Sequence, residues 1–233
     1  MKKVTNKLYP EKNLRFAVLA TDIALFTWHE NKLWVRFMTV ERPPFFNNIP
    51  GLPGGLVQPN ETAEQTATRI IETKAKIKTK DVYLEQLSTF SQVDRDPRGR
   101  VVAVAYIGLV NFSALNEAGQ SNTAKLYWSP VKKELRLAYD HNEILHEAIK
   151  RLRSKISYTS MIKFLLPNQF TLSELEQVYA SILNKSIDKR NFRKKIIKLK
   201  LLKELPELKT GESHRPARLY CFKSKKLEEI EML

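Results

Sequence analysis

The ten residues VVAVAYIGLV, Val101 to Val110, constrain the fold more than any other stretch of this chain. They form its longest apolar run, about half the length that a membrane span needs. Their β-branched side chains predict a buried strand instead. The flanking sequence alternates strands with helices. FAVLATDIALFTW (Phe16 to Trp28) and KLWVRFMTV (Lys32 to Val40) are rich in β-branched and aromatic residues and read as a hairpin around HEN. A Pro/Gly-punctuated loop, ERPPFFNNIPGLPGG, follows. A helix is expected from about Thr62 to Lys76, with Ala63, Ala67, Ile70, Ile71 and Lys74 on one face. Strands are expected at Val82 to Phe90 and Val101 to Asn111, then a shorter helix or loop through Ala114 and Leu126. A long helix from about Asn142 to Lys155 carries Ile144, Leu145, Ala148, Ile149 and Leu152 at helical spacing. This order predicts α/β or α+β architecture for the first half.

After Lys155 the character changes. ISYTSMIKFLLP reads as a short helix ended by Pro167. FTLSELEQVYASILN opens with Thr171 and Glu174, spaced as a capping box. SIDKRNFRKKIIKLKLL reads as a third helix with Asp188 at its N-cap. LLKEL, a polar loop PELKTGESHRPA and RLYCFK predict a β-hairpin. Three helices followed by a hairpin describe a winged helix-turn-helix. The boundary falls near Arg153, dividing the chain into 1–153 and 154–233.

Charge points to the second part. The formal net charge is +15, and +10 of it lies from Glu147 onward. A chain this basic is expected to meet a polyanion, usually nucleic acid. Cys221 is the only cysteine, which excludes an intrachain disulfide and a Cys-based zinc site. His29, His141, His146 and His214 are scattered without ligand spacing, and no Ser/His/Asp motif stands out. No metal, cofactor or membrane partner is expected. The start MKKVTNKLYP lacks the apolar stretch of a signal peptide, so a soluble cytoplasmic protein is expected.

On the third helix, Phe192, Ile196 and Leu199 recur at i, i+4, i+7 and form a core stripe. From Lys185 to Lys203 there are nine basic residues and one acid, Asp188. Most such runs are simply solvated faces. This one lies on the second helix of a helix-turn-helix, which favours DNA binding. The expected contacts are Lys189, Arg190, Asn191, Arg193, Lys194, Lys195 and Lys198, with His214, Arg215 and Arg218 on the wing. Arg190 and Asn191 lie near the helix N-terminus, where base edges are within reach. Lys194, Lys195 and Lys198 suit phosphates.

GLPGG, then Gly55, five residues, Glu61, seven residues and Arg69, resembles the opening of the Nudix box, G-x5-E-x7-R-E-U-x-E-E-x-G-U with U aliphatic. The resemblance then fails at selected positions. The first Glu after the Arg is Ile70, the paired Glu positions are Thr73 and Lys74, and the Gly is Lys76. The aliphatic positions survive as Ile71 and Ile77. In active Nudix enzymes these carboxylates hold Mg²⁺ against a pyrophosphate. A neutral Thr73 and a cationic Lys74 do not suit a hard divalent cation. The implied domain binds a ligand without turning it over, and no catalytic residue is assigned. QVDRDPRGRVVAVAY (Gln92 to Tyr106) resembles the strand-turn-strand segment of Nudix domains that handle ADP-ribose. Candidate ligand contacts are Arg36, Gly54, Gly55, Lys74, Arg95, Arg98 and Arg100. A solvated turn accounts for Arg98 equally well, and Arg36 shares that ambiguity.

Together the two halves resemble the NrtR-like family of Nudix-related transcriptional regulators, with FTLSELEQVY, DKRNFRKKI and HRPARLY similar to its C-terminal segments. The resemblance implies an α+β fold: a Nudix-like α/β/α sandwich for effector binding and dimerisation, then a DNA-binding winged helix. It implies a homodimeric repressor, sometimes an activator, on a palindromic operator. The implied effector is ADP-ribose or another phosphorylated sugar or nucleotide, in control of NAD metabolism. Two competing readings remain. One is a Nudix pyrophosphohydrolase with an accessory nucleic-acid-binding domain, disfavoured by Ile70, Thr73 and Lys74. The other is an RNA-handling module, disfavoured by the winged helix.

Overall fold

A computed structural model describes residues 17–132, 135–211 and 214–230. The part of the first expected strand at Phe16 lies outside these residues, as do the side chains of His214 and Arg215.

The first hairpin joins β1 (Val18–His29) to β2 (Lys32–Arg42). Its turn residues, Glu30 and Asn31, both have positive φ (48° and 59°), the backbone of a two-residue turn that matches strand twist. The apolar run expected to be a buried strand is β6 (Val101–Asn111), and it pairs parallel with β1 from Val18↔Val101 to Trp28↔Asn111. β5 (Val82–Phe90) flanks it antiparallel. With β3 (Phe46–Gly51) at one edge, the main sheet order is β3-β2-β1-β6-β5.

The Pro/Gly segment expected to be loop is partly strand. β3 (Phe46–Gly51) pairs with β2, and β4 (Gly54–Leu56) pairs with the first half of β1. The segment expected as a short helix or loop holds α2 (Glu117–Gln120) and then β7 (Leu126–Pro130), which pairs with β2. Free backbone edges captured these stretches, and β3 and β4, rich in Asn, Pro and Gly, have poor strand propensity of their own.

β1 and β6 bury both faces. Ile23, Leu25, Tyr106 and Val110 pack with Ala67, Ile70, Ile71 and Ala75 on and beside α1 (Ala63–Thr73). On the other face Ala24, Phe26, Ala105, Ile107 and Leu109 join Ile144, Leu145, Ala148 and Leu152 of α3 (His141–Tyr158). The period-two alternation along each strand produces this α/β/α sandwich.

α3 runs unbroken across Arg153 to Tyr158. The segment expected as a separate short helix thus begins as the end of α3 and continues as a 3-10 turn, Ser160–Leu165. α4 (Leu172–Leu183) starts at the anticipated capping box: Thr171 Oγ1 accepts from the Glu174 amide, and the Glu174 carboxylate accepts from the Thr171 amide. Asn184, in the left-handed region, ends it. α5 (Lys189–Lys198) is capped by Asp188 as expected, and its Phe192 meets Tyr179 of α4 edge-on, 5.3 Å between centroids. The wing is β8 (Leu202–Gly211) and β9 (His214–Phe222), whose strands extend into the stretch expected to be a polar loop.

The hydrophobic core does not stop between the halves. Phe26, Phe37 and Ile107 of the sheet belong to the same cluster as Met161, Leu165, Leu175, Tyr179 and Phe192. Tyr83 stacks on Phe164 at 4.4 Å, and Arg153 Nε donates to the Ile182 carbonyl at 2.8 Å. The winged helix is therefore seated on the sheet.

Candidate ligand pocket and nucleic-acid interface

α1 opens with a capping box of its own. Thr62 Oγ1 accepts from the Gln65 amide at 3.1 Å, and Gln65 Oε1 accepts from the Thr62 amide at 2.8 Å. Arg69 grips Glu61 bidentately, Nε–Oε1 at 2.7 Å and Nη2–Oε2 at 2.8 Å, and also donates to the Leu56 carbonyl. Thr66 Oγ1 donates to the same Glu61 carboxylate. The Arg69 hydrogen bonds, aided by Thr66, pull the Glu61 pKa down to about 2. These two surviving box residues staple the glycine loop to the helix.

The remaining box positions have taken other tasks. Ile70 is fully buried in the core. Thr73 Oγ1 donates back to the Arg69 carbonyl at 2.6 Å, and Glu72 accepts from Thr79 Oγ1. Lys74 reaches off the end of α1 to the Gly54 carbonyl. Among the described residues no group of three His, Cys, Asp or Glu side chains is placed to hold a metal ion. A neutral hydroxyl, a buried isoleucine and an ammonium do not fit the divalent ion of the Nudix enzymes.

Between the glycine loop, β2 and the β5–β6 turn lies a cavity of about 290 Å³. Of the expected ligand contacts, Gly54, Gly55, Lys74, Arg95 and Arg98 line it. Arg36 and Arg100 do not, and both expectations are corrected. Arg36 is fully buried away from the cavity. It donates to the Ser121 carbonyl at 2.8 Å beside the end of α2, and its guanidinium carbon lies 5.2 Å from the Trp128 ring centre. Burial lowers its pKa to about 10. Arg100 is exposed and donates to the Ser91 and Gln92 carbonyls, closing the base of the turn.

Arg95 lines the cavity, but its Nε and Nη2 are engaged. Nε and Nη2 hold Asp140 at 2.7 and 2.6 Å, and Nη2 is also 3.1 Å from Asp22. His141 completes the cluster. Its Nδ1 accepts from the Leu52 amide at 2.9 Å, leaving Nε2 to face Asp22 at 3.5 Å. Burial alone would raise the Asp22 pKa, but His141 and Arg95 outweigh it and hold the carboxyl below its usual range. Gly54 is required here: a Cβ on it would lie 2.0 Å from Asp22 Oδ1. Arg98 is bound by Asp96 at 2.6 Å and lies against the Tyr139 ring. Tyr139 itself has φ +55°, a strained backbone at the pocket wall.

Lys74 is the half-buried cation of this site. Burial first, then Arg42 and Arg69 nearby, push its pKa below the lysine range, with Asp22 acting in the opposite sense. Sequence reasoning missed Asp22, Asp140, His141 and Arg42. One signal was present: Asp22 interrupts the apolar strand LATDIAL, and an acid buried in a strand demands a partner.

On α5, Phe192 and Ile196 are buried and Leu199 is partly buried, as the periodicity predicts. Lys189, Arg190, Asn191, Arg193, Lys194, Lys195 and Lys198 are all exposed. Arg193 donates to Ser173 Oγ of α4 at 3.1 Å. Among the described residues no other of these side chains makes an ion pair or hydrogen bond. On the wing, Arg218 pairs with Glu204 across the hairpin, and Lys209 pairs with Glu174 at 2.6 Å, tying the wing to the start of α4.

Comparison with known proteins adds the following. The NUDIX domain description fits residues 22–152, and the NrtR DNA-binding winged helix domain fits residues 162–222. The chain is 30% identical over 92% of its length, and 85% of the relative's, to the ADPR responsive transcriptional repressor NtrR of Acinetobacter baylyi. It is 30% identical over 45% of its length, and 60% of the relative's, to an ADP-ribose pyrophosphatase of Methanocaldococcus jannaschii. The crystal structure of Shewanella oneidensis NrtR complexed with a 27mer DNA superimposes with TM-score 0.77 and 34% identity, over 88% of this chain and 93% of that one. The NUDIX domain of that protein complexed with ADP ribose matches with TM-score 0.53 and 30% identity, over 65% of this chain and 99% of that one.

Proposed function

Because the chain belongs to the Nudix family, in the branch that joins a NUDIX domain to an NrtR winged helix, we propose that it is an effector-responsive transcriptional repressor acting in the cytoplasm. Residues 1–153 bind the effector and dimerise, and residues 154–233 hold palindromic operator DNA. The effector is ADP-ribose or a related phosphorylated sugar or nucleotide, and the regulated genes belong to NAD metabolism. The observation that carries this reading is the outward face of α5, where Lys189, Arg190, Arg193, Lys194, Lys195 and Lys198 are exposed together. Such a face supplies the sequence-independent attraction of DNA binding, with Arg190 and Asn191 at the end that reads bases.

α3 couples the two activities. Its N-cap residue Asp140 and its first residue His141 enter the pocket cluster. Its 18 residues span about 27 Å. Its far end meets α4 through Arg153 and β5 through Lys155 and Glu85. An effector anion that draws on Arg95 competes with Asp140 and shifts the first turn of α3. The shared core passes that shift to the winged helix, so the effector-bound state has a different affinity for DNA. Gel-shift titration of a duplex carrying the promoter region, with and without ADP-ribose, tests this. Effector-dependent release supports the reading, and absence of binding above that to random DNA overturns it.

A second reading, a pyrophosphohydrolase, is favoured by the M. jannaschii relative. Against it, Ile70 is in the core, Thr73 is bonded to its own helix, and Glu61 is held by Arg69. No Mg²⁺-dependent release of AMP from ADP-ribose is expected. Steady release abolished by a chelator would establish the enzyme instead.

A further inference from the structure

We infer that Ile197 reads the 5-methyl group of a thymine in the major groove. The inference rests on the DNA-binding face of α5 proposed above. Phe192 and Ile196 point into the core of the winged helix, at 5% and 2% exposure. Ile197, the next residue, is 59% exposed. On a helix of 3.6 residues per turn, Arg190, Lys194 and Ile197 fall at i, i+4 and i+7, on the side opposite Phe192 and Ile196. Arg193 and Lys198 flank this stripe and are exposed as well.

A single apolar residue on a solvated surface needs no explanation. Ile197 differs because the surface around it is cationic and suited to lie against DNA. Phosphates and base amides offer nothing to a butyl side chain. The apolar group the major groove does offer is the thymine C5-methyl, which aliphatic side chains contact in direct readout. Seven residues of helix place Ile197 about 10 Å from Arg190 along the axis. That is the length of about three base-pair steps. Arg190, which suits the O6 and N7 acceptors of guanine, and Ile197 then address different positions of one half-site. The basic residues alone give attraction. The isoleucine adds a preference that salt does not screen.

The test uses the full chain and a duplex enriched by the protein from a random pool, with each thymine replaced in turn by deoxyuridine, which removes only the methyl group. At one or two thymines the parent protein should lose about three- to fivefold in affinity, the scale of one buried methyl. Ile197→Ala should bind the thymine duplex as weakly as the parent binds the deoxyuridine duplex, and should be indifferent to the replacement. Ile197→Val should retain part of the discrimination. Because the side chain is exposed, these substitutions leave the core intact. Equal binding of thymine and deoxyuridine duplexes by the parent at every position overturns the inference, as does methyl discrimination retained by Ile197→Ala. In either case sequence enrichment would still support the regulator reading. If no sequence is enriched, that reading and this inference fall together.

Discussion

Arg95 holds Asp140 in a two-pronged ion pair, Nε to Oδ2 at 2.7 Å and Nη2 to Oδ1 at 2.6 Å. The pair fastens the β5–β6 turn to the residue that precedes α3. Asp140 occupies the N-cap position of that helix, yet its side chain caps no helical amide and serves Arg95 instead. Removing Asp140 leaves a buried guanidinium with Asp22 as its remaining charged partner. Asp140→Ala should therefore destabilise the protein by about 3 kcal/mol in urea unfolding, the scale for breaking a buried pair from one side. A loss below about 0.5 kcal/mol, the size of an ordinary surface change, would show that the pair has no structural weight.

Lys74 lies in the pocket beside the Gly54 carbonyl, with Arg42 and Arg69 close enough to depress its pKa. Cations gathered in this way favour an anionic ligand. Lys74→Glu should weaken ADP-ribose binding by about 1.5–3 kcal/mol, the scale of a charge-assisted hydrogen bond. Operator affinity without effector should stay unchanged. Calorimetry on parent and variant decides, and equal affinities for ADP-ribose would remove Lys74 from the site.

The Glu61–Arg69 pair makes a prediction about acid stability. The folded pKa of Glu61 is lowered from 4.5 to about 2. A depressed carboxylate contributes stability that is fully present above its unfolded value and is lost as pH falls through its folded value. The stability difference between the parent and Glu61→Gln should be constant above about pH 5 and shrink between 4.5 and 2. Unfolding curves across that window would expose an error if the difference were flat or grew in acid.

On the DNA face, Arg190→Ala or Asn191→Ala should cost about 1–3 kcal/mol on the operator and relax its sequence preference. Lys194→Ala should weaken binding to all duplexes and lower the slope of log affinity against log salt by about one unit. Fluorescence anisotropy at several salt concentrations separates the two effects. Equal losses on operator and random DNA for all three variants would mean that α5 is not the reading helix.

Local features were legible in the sequence because their causes are local. Thr171 and Glu174 lie three residues apart, and the capping box they form needs nothing else. Asp188 caps α5 from the adjacent residue. The ends of β5 and β6 follow from β-branched runs bounded by turn residues. The stripe Phe192, Ile196, Leu199 assigned both the buried and the basic side of α5 by period alone.

Residues whose partners are distant in the chain were not legible. β3, β4 and β7 are strands because β1 and β2 offered unpaired backbone, which their own composition does not reveal. Arg36 and Arg95 look alike as arginines in or beside strands. One meets the Ser121 carbonyl 85 positions away and becomes structural, and the other meets Asp22 and Asp140, 73 and 45 positions away, and becomes part of a pocket. The sequence by itself determined most of the helices, the central strands and the basic face, because period and capping act within a few residues. Tertiary structure alone decided which charges meet, because a buried charge takes its partner from whatever the folded sheet brings within about 3 Å.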